Sequence, residues 1–144
     1  IPATLPDAPQ ASVVVDVDSR LSAPYQFDLV PVAPAVARGV NPDGAPNTES
    51  APVTAGTVLA LDVTGIRRAE SPVWLRLHDR EIAEFVPAPL DAVNPAGIDV
   101  IRFVIPADLP TMRTALTICG APAGQPDLRR CSHPFDVYLR AAAE

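Results

Sequence analysis

TVLALDVTGIRR, residues 57–68, decides the fold. Val58, Ala60 and Asp62 alternate with Leu59, Leu61 and Val63, so a strand with one apolar face is expected, stopped at Thr64-Gly65. Downstream, PVWLRLHDREIAEFV at 72–86 repeats the alternation. Val73, Leu75 and Leu77 fall on one side; Trp74, Arg76 and His78 fall on the other. Asp79-Arg80 is expected to turn the chain into a strand over 82–86. GIDVIRFVIPADLP at 97–110 is nearly continuous in apolar residues from Asp99 to Ile105 and reads as a central strand closed by Pro106. RTALTIC at 113–119 and PFDVYLR at 134–140 read as a last hairpin.

Upstream the pattern is thinner. Residues 1–10, IPATLPDAPQ, lack periodicity and read as a linker. Val13, Val15 and Val17 suggest a half-buried strand, with a turn at 19–22 and a second strand over 25–32. Asn41-Pro42-Asp43-Gly44 is a turn tetrad, because Pro presets φ and Gly accepts a positive φ. The rest of 33–55 reads as surface loop, and a helix of a turn or two fits only 87–96. Ser22-Ala23-Pro24-Tyr25 and Ser132-His133-Pro134-Phe135 each follow a Val/Ile-rich run and open a strand, so one hairpin design occurs twice.

These signals predict an all-β antiparallel β-sandwich of about eight strands with little or no helix. The expected divisions are a linker at 1–10, an N-terminal hairpin at 11–32 and a sandwich at 33–144. That hairpin either packs on the sandwich or closes a preceding unit. Of 144 residues 18 are proline, where roughly 5% is ordinary, and this spread excludes long helices. Phe27, Phe85, Phe103 and Phe135 all fall in strand-like runs, as core residues do.

Cys119 and Cys131 flank a segment holding Gly120, Pro122, Gly124 and Pro126. If the flanking strands pair, the sulfurs meet as a disulfide, which implies an oxidising compartment. Two free thiols, or a metal with His78 and His133, are the alternatives. The net charge is −6, with eleven arginines and no lysine. Phosphate recognition needs clustered positive charge, so nucleic acid is not expected as a partner. Arg67-Arg68 and Arg129-Arg130 read as solvated loop residues. No stretch is apolar enough for membrane insertion. A chain that starts without Met is expected to be a trimmed mature fragment.

Candidate chemistry is sparse. Ser132, His133 and Asp136 hold the residue types of a nucleophilic triad, but neighbours on a strand point to opposite faces and no G-x-S-x-G turn is present. Catalytic residues, metal and cofactor are therefore expected to be none. Asp16 and Asp18 lack the third carboxylate that calcium wants, and His78-Asp79 is explained by a hairpin tip. Asp99 reads as a loop cap. Trp74 is the residue best suited to binding, with Arg76 beside it and Phe85 expected opposite it on the outer face. Such an aromatic platform stacks sugars or docks a neighbouring domain. A cover of that face by 33–55 or by the first hairpin is the structural alternative.

The string NPDGAPNTESAPVTAGTVLALDVTGI at 41–66 resembles the start of a bacterial immunoglobulin-like repeat of the IPT/TIG type. Its N-x-DG-x-x-N turn falls on Asn41, Asp43, Gly44 and Asn47. Its P/A-G-x-x-V-x-L-x-x-T-G strand falls on Ala55-Gly56, Val58, Leu59, Leu61, Thr64 and Gly65. Gly97, Asp99, Val104, Pro106 and Leu109 are similar to a later segment of the repeat, and Pro31-Val32-Ala33-Pro34 to its linker. Asp79-Arg80 stands where the repeat has Gly-Gly, Val100 and Arg102 where it has Gln and Asn, and the paired cysteines are an addition. The resemblance implies an immunoglobulin-like antiparallel β-sandwich and a secreted, periplasmic or cell-surface module of a larger protein, with no catalytic residues. The function to expect is a spacer or protein-interaction domain, partnered by other domains of the parent protein or an extracellular partner. A carbohydrate-binding module using Trp74 and Phe85 on a glycan is the alternative.

Overall fold

The computed structural model describes residues 10–28, 32–66, 69–85, 97–122 and 124–143. It is all-β, with strands β1 Gln10–Val13, β2 Asp16–Val17, β3 Arg20–Leu21, β4 Tyr25–Asp28, β5 Ala35–Val40, β6 Val53–Thr54 and β7 Val58–Thr64. After these come β8 Ala69–Leu77, β9 Arg80–Phe85, β10 Asp99–Val104, β11 Met112–Pro122, β12 Arg130–Cys131 and β13 Phe135–Arg140. A single 3-10 turn at Pro126–Leu128 is the helical element among the described residues.

Two sheets make the sandwich. One has the order β10-β7-β5; the other has the order β6-β13-β11-β8-β9, with β12 added to β11. The pairings are antiparallel except β13 with β6, which is parallel. Alternation delivers one face of each sheet to the core. Leu59, Leu61 and Val63 from one side meet Val73, Leu75, Leu116 and Ile118 from the other, all at 0% exposure. Burying each of the larger side chains stabilises by roughly 1.5–3 kcal/mol. Gly65 closes β7 with φ 75°, and a Cβ there would collide with the carbonyl oxygen of Ala33. The position requires glycine because the two chain segments touch, Ala33 N donating to Gly65 O at 2.9 Å.

Several expectations need correction. The 33–55 segment is not all loop: β5 pairs with β7 and β6 with β13. Asn41 and Asn47 are buried there at 8% and 7%. The NPDG turn folds as expected, Gly44 taking φ 85° and donating to Asn41 O at 2.9 Å. Among the described residues Asp99–Val104 is an edge strand, paired only with β7. Ile101 and Phe103 enter the core, whereas Val100 and Val104 are 50% and 58% exposed. Continuous apolar sequence here marks an open apolar face rather than burial on both sides. The central strand of the larger sheet is β11.

The N-terminal hairpin also departs from its reading. Val13, Val15 and Val17 are 47%, 53% and 61% exposed, not half-buried. The turn sits at Asp18-Ser19, both with positive φ, so Arg20–Leu21 is already strand. Among the described residues β1 pairs only with β4, and β2 only with β3. The doubled Ser-x-Pro-aromatic design, however, is real. Ser22 N donates to Val15 O at 2.8 Å, and Ser22 Oγ accepts from Val15 N at 2.9 Å. Ser132 N donates to Ile118 O at 2.8 Å, and Ser132 Oγ accepts from Ile118 N at 3.1 Å. Each serine clasps both backbone groups of one residue on the opposite strand. Of the expected 1–10 linker, Gln10 already belongs to β1 and 1–9 lie outside the described residues, as does the short helix expected at 87–96.

Candidate functional site

The outer face of the larger sheet carries the best-built side-chain cluster. Val73, Leu75 and Leu77 point inward, as expected, which leaves Trp74 and Arg76 on the outer face. Trp74 pairs across to Cys119 on β11, and Cys119 pairs across to Cys131 on β12. Facing residues on adjacent strands share a face, so tryptophan and both cysteines form one row. The cysteines are joined as a disulfide with a Cα–Cα separation of 4.0 Å. Metal or free-thiol alternatives for this pair therefore fall away.

The disulfide closes a loop that carries Arg129 back over β8. The Arg129 guanidinium lies 4.4 Å from the centroid of the Trp74 ring, a cation–π contact. Its terminal nitrogen donates to Glu81 Oε1 at 3.2 Å. Glu81 pairs across to Arg76, so the cluster extends along β9. Trp74 is half-buried, with the Arg129 guanidinium over its ring. Arg129 is an exposed loop residue, as expected. Its contact is set by the disulfide and the register of β11, which local spacing does not reveal.

Phe85 does not stand opposite Trp74. The two-residue turn at His78-Asp79 starts pairing at Leu77↔Arg80, and a bulge that skips Ile82 advances it by one. Glu84 therefore faces Trp74, and Phe85 faces Val73. The backbone register thus differs from the expected one, in which Phe85 was opposite Trp74.

The other candidates disperse. Ser132 is buried and used by its backbone clasp, His133 is exposed, and Asp136 accepts from Arg113 at 2.6 Å. Asp16 lies on β2 and Asp18 in the turn, with φ 51°, so they are not neighbours on one strand face. Among the described residues no three His, Cys, Asp or Glu side chains converge.

A second feature escaped sequence reasoning. An open groove of about 270 Å³ is lined by Glu49, Pro52, Thr111, Met112, Arg113 and Tyr138, with Leu139 beneath. Arg113 lies 5.9 Å from the Tyr138 ring centroid, and its hydrogen bond to Asp136 holds the guanidinium above its ordinary pKa. Its floor is fixed by Asn47, whose Nδ2 donates to Tyr138 O at 2.9 Å and whose Oδ1 accepts from Tyr138 N at 2.8 Å. The N-x-DG-x-x-N pattern is thus a structural device that ties a turn to β13. Only its long reach hid that role.

No family model and no curated protein matches the chain. A solved structure described as a "Putative bacterial DNA binding protein from Bacteroides vulgatus ATCC 8482" is similar in fold. Its TM-score is 0.52 at 13% identity, over 93% of this chain and 69% of that one. At this identity the likeness shows the fold alone. It still corrects one expectation. Nucleic acid was excluded on net charge, yet a protein of this fold is described as DNA-binding. Net charge describes the whole surface and not a single face, so the exclusion does not stand. Among the described residues no helix is long and apolar enough to cross a membrane.

Proposed function

We propose that this chain is a non-catalytic immunoglobulin-like module of a larger exported protein, serving as a spacer or protein-interaction domain. The observation that carries this reading is the Cys119–Cys131 disulfide, set directly between paired strands on the outer face. Disulfides persist in oxidising compartments, and this one organises the loop that covers Trp74. The IPT/TIG-type resemblance agrees with it, since Asn41, Asn47 and Gly65 of that pattern each hold a backbone junction together.

The carbohydrate-binding alternative is weaker. Arg129 occupies the Trp74 face, and the register sets Phe85 across from Val73. The test is Trp74 emission against a glycan panel, with labelled duplex DNA followed by anisotropy across a salt series. Emission unmoved by glycans is expected. A saturable glycan-dependent shift restores the carbohydrate reading. Saturable DNA binding that weakens with salt admits nucleic acid among the partners and replaces the exported-module reading.

A further inference from the structure

The N-terminal hairpin and the outer face of the smaller sheet are both exposed apolar surfaces, and their charges are complementary. We propose that the hairpin of one copy packs on the β7–β10 face of a second copy, the two exchanging hairpins in a reciprocal dimer.

The hairpin, Gln10–Asp28, is two-stranded throughout. Its Val13, Val14, Val15, Val17, Leu21 and Tyr25 are between 45% and 73% exposed. An isolated two-stranded hairpin is marginal in water, and so many exposed apolar side chains mark an interaction surface. The closing hairpin, β11–β13, shares the Ser-x-Pro-aromatic clasp and is covered by the opposing sheet of the sandwich. The first hairpin has the same clasp without a third strand among the described residues.

The smaller sheet offers what the hairpin lacks. On its outer face Val58, Val100 and Val104 are 40%, 50% and 58% exposed. Val104 pairs across to Val58, and Arg102 to Ala60, so the outward row on β10 reads Val100, Arg102, Val104. Arg102 makes no ion pair among the described residues, whereas neighbouring Arg38 is taken by Asp62 at 2.5 Å. On the hairpin, Asp16 pairs across to Leu21, with Val14 two residues earlier. A carboxylate flanked by apolar side chains thus matches a guanidinium flanked by valines. The whole hairpin carries Asp16, Asp18 and Asp28 against Arg20. Opposite charges set register while Val14 and Leu21, on the Asp16 face of the hairpin, supply burial against Val58, Val100 and Val104. Because the two patches differ, closure requires each copy to give its hairpin and receive the other, a two-fold arrangement.

This inference uses neither Trp74 nor the disulfide, so it stands or falls apart from the exported-module reading. The experiment is sedimentation equilibrium of the chain with Asp16→Arg, Arg102→Asp and the double variant. Each substitution lies on an exposed residue, and circular dichroism confirms that each variant is folded. A dimer is expected by roughly 100 µM, with each single reversal weakening it about tenfold or more and the double variant recovering most of the loss. A monomer throughout that range overturns the proposal. So does a dimer indifferent to both reversals, or a double variant no better than the singles. A hairpin folded back on its own sheet gives the first of these results.

Discussion

Asn47 and Tyr138, 91 residues apart, exchange two hydrogen bonds through one side-chain amide. The amide mimics a neighbouring strand for a single residue of β13. β6 continues the pairing at Leu139 and Arg140. Asn47 also donates to Asn41 Oδ1 at 3.1 Å, and Asn41 Nδ2 donates to Ala51 O at 2.7 Å, so the turn and the sheet are one network.

Asn47→Ala leaves the backbone groups of Tyr138 without their partner. Urea unfolding should show a loss of about 2–3 kcal/mol, with an unchanged slope. Asn47→Asp sets a buried carboxylate oxygen against Tyr138 O and Asn41 Oδ1, so at neutral pH it should lose at least as much as alanine. An alanine variant as stable as the parent would contradict the network.

Replacing both Cys119 and Cys131 by serine opens the loop that carries Arg129. The chain-entropy model gives a loss of about 3 kcal/mol for a loop of this length. Trp74 should also become more accessible to iodide, because its cover depends on that loop. Stability lost without any change in quenching would separate the disulfide from the cover.

Arg129→Ala removes the cover while leaving the disulfide. Its ion pair with Glu81 is mostly solvated, so stability should change by less than about 1 kcal/mol. Trp74 emission should shift to the red and quench more readily. An unmoved spectrum would mean that Arg129 does not sit on the ring.

Gly65→Ala places a Cβ against the Ala33 carbonyl at positive φ. A loss of roughly 1–3 kcal/mol is expected in thermal or urea unfolding. By contrast Gly44→Ala, which meets no atom within 4 Å, should lose less despite its φ of 85°.

The strands were legible wherever alternation met a core. Leu59, Leu61 and Val63 were placed by period alone, as were Val73, Leu75 and Leu77. The sequence misled where apolar residues face outward. Val13–Val17 and Val100–Val104 carry the signature of burial, but none of the described strands covers them. Hydrophobic sequence reports a demand for burial without naming what meets it. The site was harder still. Trp74 was found as an outer-face residue, but Arg129 reaches it through a disulfide, and one skipped residue at Ile82 moved Phe85 away. Neither a bulge nor a tertiary contact leaves a periodic trace.

The central claim is that the module works where its disulfide is oxidised. The direct measurement is thiol trapping in intact cells of the native host, using a mass-adding alkylating reagent before lysis and peptide mass spectrometry after it. The account predicts protein without alkylation and one peptide pair joined through Cys119 and Cys131. Quantitative alkylation of both cysteines would place the chain in a reducing compartment and contradict the exported-module reading.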